Sequence, residues 1–417
     1  MKKKRILFIS QMFAPEFGAG AARSGDLSRE WCQSGHAVTI LTGFPNYPSG
    51  RRFSGFDYGN RVFKRELKDG IEIVRTFNWF SKPGSFADRM LNSFSSLVSN
   101  SLWGLFAKRR FDLVIASSPQ PFILIQGWMI ARLHRIPFVA EIRDPWPEVV
   151  SIRGFFSKRL PCQALRKYIT RMYHACDMLV GVADNYRDLF SEKYDVPESK
   201  IAVIRNGCNS HLFQPGLKEN EFREKHGLTG KFVCSFVGNV GNFLRCETLV
   251  RAAHSLRSDP DIVFIFVGSG AGLKKVGQVK EELGADNVRL LGSVPREKVP
   301  QVYHASDVSI AHAMNHPYYS TCIGAKIWEI MGSGVPILVG FRGETQQIIE
   351  EAQAGYSFEP ENAEELAFFI KKIKNDPDLA QQLGRNGRQF IESGCTRRQL
   401  AEKYLQEIDR ILGDSSS

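Results

Sequence analysis

Lys326 and Glu329 stand three residues apart in the run Cys322-Ile323-Gly324-Ala325-Lys326-Ile327-Trp328-Glu329-Ile330-Met331-Gly332-Ser333-Gly334-Val335-Pro336. The run predicts a short helix that opens after small residues, is closed by Gly332 and Gly334, and leads into a buried strand over Val335–Val339. Lys326 falls in the first turn, where the positive end of a helix favours an anion. Glu329 follows on the same side. A phosphate beside Lys326, with a pair of ribose hydroxyls donating to the Glu329 carboxylate, would hold a nucleoside diphosphate without a metal. The alternative is an amphipathic helix whose Lys and Glu only face water.

Three glycine-bearing loops follow apolar strand-length runs. Phe13–Arg23 comes after Arg5–Ser10 and leads into a helix containing Leu27 and Trp31. Gly18 and Gly20 allow close approach of backbone to a ligand. Arg23 breaks the G-x-G-x-x-G fingerprint, which leaves little support for a nicotinamide cofactor. After Lys231–Val237, Gly238-Asn239-Val240-Gly241 precedes another helix, and Arg245 offers a planar guanidinium to a phosphate. Gly268-Ser269-Gly270-Ala271-Gly272 after Asp261–Val267 reads mainly as a turn.

Two proline-braced loops also end strands. In Glu141-Ile142-Arg143-Asp144-Pro145-Trp146-Pro147-Glu148, Asp144 is a candidate polar contact or proton acceptor and Trp146 a flat face for a sugar ring. An Arg143–Asp144 ion pair is the competing reading. In Thr42-Gly43-Phe44-Pro45-Asn46-Tyr47-Pro48, Asn46 and Tyr47 suit an acceptor, unless the loop is only packed structure. His312, in Ala311–His316, reads as a satisfied structural histidine rather than a cleft residue.

The elements that must position these residues alternate in type. Arg5–Ser10, Ala37–Thr42, Ile71–Thr76, Asp112–Ser117, Pro137–Ile142 and Asp177–Ala183 are short runs rich in Val, Ile and Leu, several of them separated by helical patterns. Lys231–Val237, Asp261–Val267, Asn287–Leu291, Asp307–Ala311, Val335–Val339 and Tyr356–Phe358 repeat the theme. Such runs suit parallel strands covered on both faces. Two open α/β sheets in sequence imply two Rossmann-like domains, with ligands beyond the carboxyl ends of the strands. Asn206–Asn209 is the candidate linker. The expected division is 1–208 as the first domain and 209–395 as the second. A C-terminal segment, 396–417, packs back toward the first domain and ends in the polar tail Asp414–Ser417.

A chain of 417 residues exceeds one core, and 43% apolar with 24% charged residues is ordinary for a globular protein. The eight cysteines form no CxxC pair and no metal-ligand spacing, which points to a reducing, cytoplasmic compartment. Lys2-Lys3-Lys4-Arg5 precedes only a strand-length apolar run, so no secretory leader is expected, and no apolar run reaches spanning length. Charge is uneven: residues 1–208 hold 31 Lys and Arg against 18 Asp and Glu (+13), and residues 209–417 hold 24 against 26 (−2). A basic half attracts nucleic acid, anionic lipid or phosphorylated substrates. Within it, Asp88–Arg110 carries Met90, Leu91, Phe94, Leu97, Val98, Leu102, Leu105 and Phe106 at helical spacing and ends in Lys108-Arg109-Arg110. That pattern is compatible with an interfacial helix on a membrane, and equally with a core helix, to which most of these side chains are assigned. Phe122–Ile136 is a second apolar helix with Arg132, His134 and Arg135 at its end.

In this order the motifs resemble a GT-B glycosyltransferase of family 4, over essentially the whole chain. The resemblance is closest to the bacterial branch that builds O-antigen, capsule or exopolysaccharide, including N-acetylfucosaminyl transferases. It rests on Phe13–Arg23, Thr42–Pro48, Arg143–Glu148, Ala202–Gly207, Val237–Gly241, Val267–Gly270 and Gly324–Gly334, with Lys326–Pro336 the most specific. It implies two Rossmann-like domains facing each other across a cleft and a retaining transfer from a nucleoside diphosphate sugar, UDP by family default. No Asp/His metal cluster is visible in the sequence, so metal independence is expected, with no cofactor beyond the sugar nucleotide.

By the same resemblance, Glu329 binds the ribose and Lys326 the diphosphate. Gly238, Asn239, Gly241, Gly324 and Ala325 line the donor site, and Gly18 and Gly20 approach it from the other domain. Asp144, Lys326 and Arg245 form the catalytic set. Two departures stand out. The first acid of the family's E-x7-E element is replaced by Thr321, and the usual Arg…Lys-Gly pair after Gly241 is absent, leaving Arg245 as its substitute. The implied partners are the donor, a lipid-linked glycan acceptor and an anionic membrane at the inner face of the plasma membrane, with no nucleic acid. A GT-B-shaped sugar-nucleotide epimerase and a non-catalytic sugar-nucleotide binder are the rival readings; product analysis separates the first, and donor hydrolysis the second.

Overall fold

The computed structural model describes residues 2–16, 18–47, 50–81, 85–107, 110–120, 122–149 and 159–413. The chain divides into two compact units, Met1–Arg205 with Arg397–Ser417, and Asn206–Thr396.

The first unit is built on an eight-stranded sheet. Its strands are β1 (Arg5–Ser10), β2 (Ala37–Gly43), β3 (Phe63–Lys68), β4 (Ile71–Thr76), β5 (Leu113–Ser117), β6 (Phe138–Ile142), β7 (Met178–Gly181) and β8 (Ile201–Val203), in the spatial order β3-β4-β2-β1-β5-β6-β7-β8. Every pairing is parallel except β3 with β4. The central strands are buried along nearly their whole length, as parallel strands covered on both faces must be. The strand β3 is not apparent as an apolar run because Phe-Lys-Arg-Glu-Leu-Lys sits at the edge with its side chains largely exposed. Order reverses between β1 and β5, so the loops after these strands flank a topological switch point.

Helices α1 (Ala19–Gln33), α2 (Phe86–Phe106), α3 (Phe122–His134) and α4 (Arg159–Ala175) belong to this unit. Leu27 and Trp31 of α1 are fully buried with Phe8 and Ile40. The helix α2 corrects the core reading of its apolar residues. Leu91, Phe94, Val98, Leu102, Leu105 and Phe106 are exposed, while Asn92, Ser93, Ser96, Asn100 and Ser101 are buried. Lys108 and Arg109 lie outside the described residues, as does the tail Asp414–Ser417.

The second unit holds β9 (Phe232–Val237), β10 (Ile262–Val267), β11 (Val288–Gly292), β12 (Val308–His312), β13 (Ile337–Gly340) and β14 (Gly355–Ser357), all parallel, in the order β11-β10-β9-β12-β13-β14. Its switch point lies between β9 and β12. Helices α5 (Glu247–Ser255), α6 (Leu273–Leu283), α7 (Lys326–Gly332), α8 (Glu344–Ala352), α9 (Ala363–Lys374) and α10 (Pro377–Phe390) accompany the sheet. Two apolar clusters form its core, one containing Ile327, Trp328 and Met331 of α7 and the other built on β10 and α5.

The last helix, α11 (Arg397–Leu412), returns to the first unit. Leu400, Tyr404 and Ile408 enter that unit's core, Trp31 Nε1 donates to the Ala401 carbonyl at 3.1 Å, and Lys4 pairs with Asp409.

Candidate functional site

In the second unit, the sequence motifs converge at the switch point. Lys326 opens α7, and its amino group turns inward. Some of the residue reaches solvent, but Nζ is sealed and has no hydrogen-bond partner. It lies 3.3 Å from the centroid of the Phe236 ring on β9, a cation–π contact. Burial lowers its pKa from 10.5 to about 7, while nearby Cys246 and Glu329 act in the opposite direction. Cys246 provides no counter-ion at neutral pH, because burial pushes its thiol up to about 12. An ammonium in this setting has lost its water without gaining a hydrogen-bond partner, which is costly unless an anion arrives.

Gly238 covers the Lys326 stem. Its φ of +111° strains an L side chain, and a Cβ there would lie 3.2 Å from Lys326 Cε. The loop after β10 reads as a turn in sequence but is pressed against this one. A Cβ on Gly268 would sit 1.8 Å from the Gly238 carbonyl oxygen, and Val240 N donates to the Ser269 carbonyl at 2.8 Å. The loops after β10 and β9 therefore support each other, and Asn239 and Gly241 belong to this paired structure.

Arg245 is left-handed (φ +45°) with a half-exposed side chain, 3.7 Å from Glu247 and 4.0 Å from Glu361. His312 on β12 joins the loops. It donates from Nδ1 to the Leu244 carbonyl at 2.7 Å and accepts at Nε2 from Glu361 N at 2.9 Å, stacked on Phe358. Burial drives its pKa down to about 4, so it is a neutral structural imidazole. Met314 N reaches the Phe243 carbonyl at 2.9 Å, a second tie across the switch point.

Glu329 lies partly exposed one turn along α7 from Lys326. Ahead of the helix, Gly324 N donates to Thr345 Oγ1 at 3.2 Å, and that hydroxyl donates to the Cys322 carbonyl at 2.9 Å. Thr321 spends its hydroxyl on the Tyr318 carbonyl at 2.8 Å, and Ala325 immediately precedes α7 without a side-chain capping bond.

In the first unit, Glu16 ties the loops after β1 and β2 together. Its buried carboxylate accepts from Asn46 N and Tyr47 N, each at 2.9 Å, and burial raises its pKa. Asn46 is itself buried, donating to the Phe44 carbonyl at 3.1 Å and accepting from Ser81 N at 3.3 Å. The Tyr47 ring is about half exposed. Gly18 precedes α1 as its N-cap residue. Gly20, in the first turn, admits the Arg143 guanidinium: a Cβ there would lie 2.0 Å from Arg143 Nη1.

Sequence reasoning offered Arg143 only as a partner of Asp144, because nothing along the chain reveals its contact with Gly20. Beside it, Arg23 and Glu141 form a buried ion pair at 2.9 Å. Asp144 and Trp146 follow on the same strand-end loop, both partly exposed. The Trp146 carbonyl accepts from Tyr194 Oη at 3.3 Å. Among the described residues no group of three or more His, Cys, Asp or Glu could hold a metal ion.

Two Rossmann-like units in one chain, the second with glycine-rich loops and a sealed lysine at its switch point, define the GT-B class. The chain is a GT-B glycosyltransferase. Residues 218–390 match the model for glycosyl transferases group 1, and residues 21–212 match that for Glycosyltransferase Family 4. It is 23% identical over 310 residues to "Probable glycosyltransferase WbjE" of Pseudomonas aeruginosa, covering 74% of this chain and 76% of that protein. Among solved structures, the sucrose-phosphate synthase of Thermosynechococcus elongatus aligns with a TM-score of 0.77 at 18% identity, over 99% of this chain and 100% of that one. Anabaena HepE, solved with UDP-glucose, aligns with a TM-score of 0.73 at 16% identity, over 98% and 100%.

Proposed function

We propose that the protein transfers a sugar from UDP, with retention at the anomeric carbon, to a hydroxyl of a lipid-linked oligosaccharide in bacterial surface polysaccharide synthesis. The observation that carries this reading is Lys326, a sealed ammonium with no hydrogen-bond partner at the switch point of the second unit. A diphosphate supplies the acceptor it lacks, together with negative charge. UDP is favoured by the UDP-glucose complex of the HepE relative. An N-acetylated deoxysugar is the donor group that the resemblance to the branch including N-acetylfucosaminyl transferases suggests.

In this reading Glu329 accepts from the ribose hydroxyls, and Gly238, Asn239, Gly241, Gly324 and Ala325 line the donor. Lys326 and Arg245 meet the diphosphate in place of a metal. Gly18 and Gly20 contribute from the first unit, where Asn46, Tyr47, Trp146 and Asp144 serve the acceptor. The C1–O bond to the leaving diphosphate breaks as the acceptor oxygen bonds to C1 on the same face, and the acceptor proton passes to the leaving phosphate. Cations placed where that negative charge develops stabilise the transition state. Such an enzyme works at the inner face of the plasma membrane, where lipid-linked acceptors are exposed.

The test is a thermal-shift screen against UDP, GDP, ADP, NAD and UDP-sugars, followed by NMR of the product anomer. UDP or a UDP-sugar raises the melting temperature by mass action. Silence for every nucleotide with a folded protein, or an inverted product, refutes the proposal.

A further inference from the structure

The helix α2 is inverted relative to a helix on a water-soluble domain. Such a helix buries its apolar stripe and wets its polar one. Here Leu91, Phe94, Val98, Leu102, Leu105 and Phe106, spaced by three and four residues, are all exposed, Phe94 at 59% and Phe106 at 79%. The face turned to the protein is made of Asn, Ser and Gly; the Ser101 hydroxyl is buried without a partner, but the Asn100 amide is bonded at both ends. Asn100 Nδ2 donates to Gln126 Oε1 at 3.0 Å, and Asn100 Oδ1 accepts from Thr76 Oγ1 at 2.5 Å. Gly104 lets Ile130 of α3 approach so closely that a Cβ would fall 2.3 Å from its Cδ1. The inner face is thus fitted to this fold, and the outward apolar stripe is not a register error.

The stripe continues onto neighbouring surface. Trp79 N donates to Ser95 Oγ on the flank of α2 at 2.8 Å, and its indole donates to Asp88 at 3.0 Å, leaving the ring about half exposed. Of sixteen exposed large hydrophobic side chains among the described residues, thirteen lie between Tyr47 and Leu133, which excludes an even scatter. Cations gather at one end. His134 Nε2 donates to the Gly104 carbonyl at 2.8 Å, which ties the end of α3 to the last turn of α2, and Arg132 and Arg135 flank His134 in sequence with both side chains exposed. Arg110 is exposed four residues beyond Phe106, and the nearby acid, Asp112, is engaged by Arg5. From Met90 to Ala107 there is no charged residue at all, yet no helix is long and apolar enough to cross a membrane.

We propose that α2 is an in-plane anchor. Its outer stripe lies among the acyl chains of an anionic bilayer, Trp79 sits at the headgroup level, and Arg110, Arg132 and Arg135 meet lipid phosphates. Charge complementarity selects lipid over a second copy of the chain. A parallel contact between two copies of α2 would set the same arginines against each other. An antiparallel one would set them against the Asp88-Arg89 turn, which carries no net charge, whereas an anionic surface neutralises them. This docking face gives the proposed lipid-linked acceptor a route to the enzyme but does not rest on donor chemistry, so the two are tested separately.

The test is flotation of the full chain with phosphatidylcholine vesicles and with vesicles containing phosphatidylglycerol. The wild type floats with the anionic vesicles, less as salt rises. Phe94→Ser/Leu102→Ser reduces binding about tenfold or more, as loss of two inserted side chains requires. Both substitutions are on the surface, so the melting temperature and the nucleotide-induced shift stay as in wild type. Equal flotation of the variant and wild type overturns the proposal, as does absence of wild-type binding. Concentration-dependent dimerisation that the double substitution abolishes also overturns it, and makes this face a contact between copies.

Discussion

If Lys326 waits for a diphosphate, binding must move a proton. Burial holds the free amine at about 7, and a diphosphate against Nζ restores it to the ordinary lysine range. At pH 8 an amine of pKa about 7 is roughly nine-tenths neutral, so each UDP bound takes up about 0.9 proton. The nucleotide itself adds little, because a terminal phosphate with a pKa of about 6 is already ionised at pH 8. Above pH 7 the affinity falls by up to about tenfold, or ~1.4 kcal/mol, per pH unit.

The assay is titration calorimetry at pH 8 in buffers of different ionisation enthalpy, where the slope of apparent enthalpy counts the protons. Lys326→Arg, always charged, takes up none. Lys326→Met abolishes the UDP response and, having removed a desolvated amine without opening a cavity, is more stable by about 2 kcal/mol near neutral pH. The linked stability has a definite sign. Between about 7 and 10.5 the unfolded chain holds a proton that the folded chain has released, so this group's contribution rises with pH across that window and is flat below it. UDP binding by the wild type with a buffer-independent enthalpy and no pH dependence from 7 to 9 would refute the reasoning.

Three further outcomes are expected. Glu329→Ala weakens UDP binding by about 1.5–3 kcal/mol, the worth of hydrogen bonds to a charged group, with the melting temperature nearly unchanged; calorimetry checks this. Asp144→Ala loses transfer while retaining the UDP-induced thermal shift, and full activity in a product assay returns Asp144 to a structural role. Gly20→Ala destabilises by about 1–3 kcal/mol because its methyl must displace Arg143, and urea unfolding of the Gly20→Ala/Arg143→Ala pair shows strongly non-additive costs.

The chain alone determined the two Rossmann-like sheets. Runs such as Ile6–Ile9 and Ile262–Val267 are apolar throughout because a parallel strand buried on both faces has no solvent side to alternate toward. The order of strands and glycine-bearing loops was legible for the same reason: punctuation by Gly and Pro is a local requirement of the backbone. Strand β3 was not legible, because at the sheet edge its charged side chains satisfy themselves in water and its pairing with β4 is a nonlocal fact.

Tertiary structure decided where the side chains of a recognised pattern point. The 3.6-residue period of α2 reveals an apolar stripe but not its outward direction, which depends on Asn100 finding Thr76 and Gln126 and on Gly104 admitting Ile130. Likewise, a lysine at the start of a helix reads as solvated or as a ligand until Phe236, Gly238 and Cys246 are brought around it from distant segments. Those contacts strip its Nζ of water, and desolvation is a property of the assembled surroundings that no local run of residues contains.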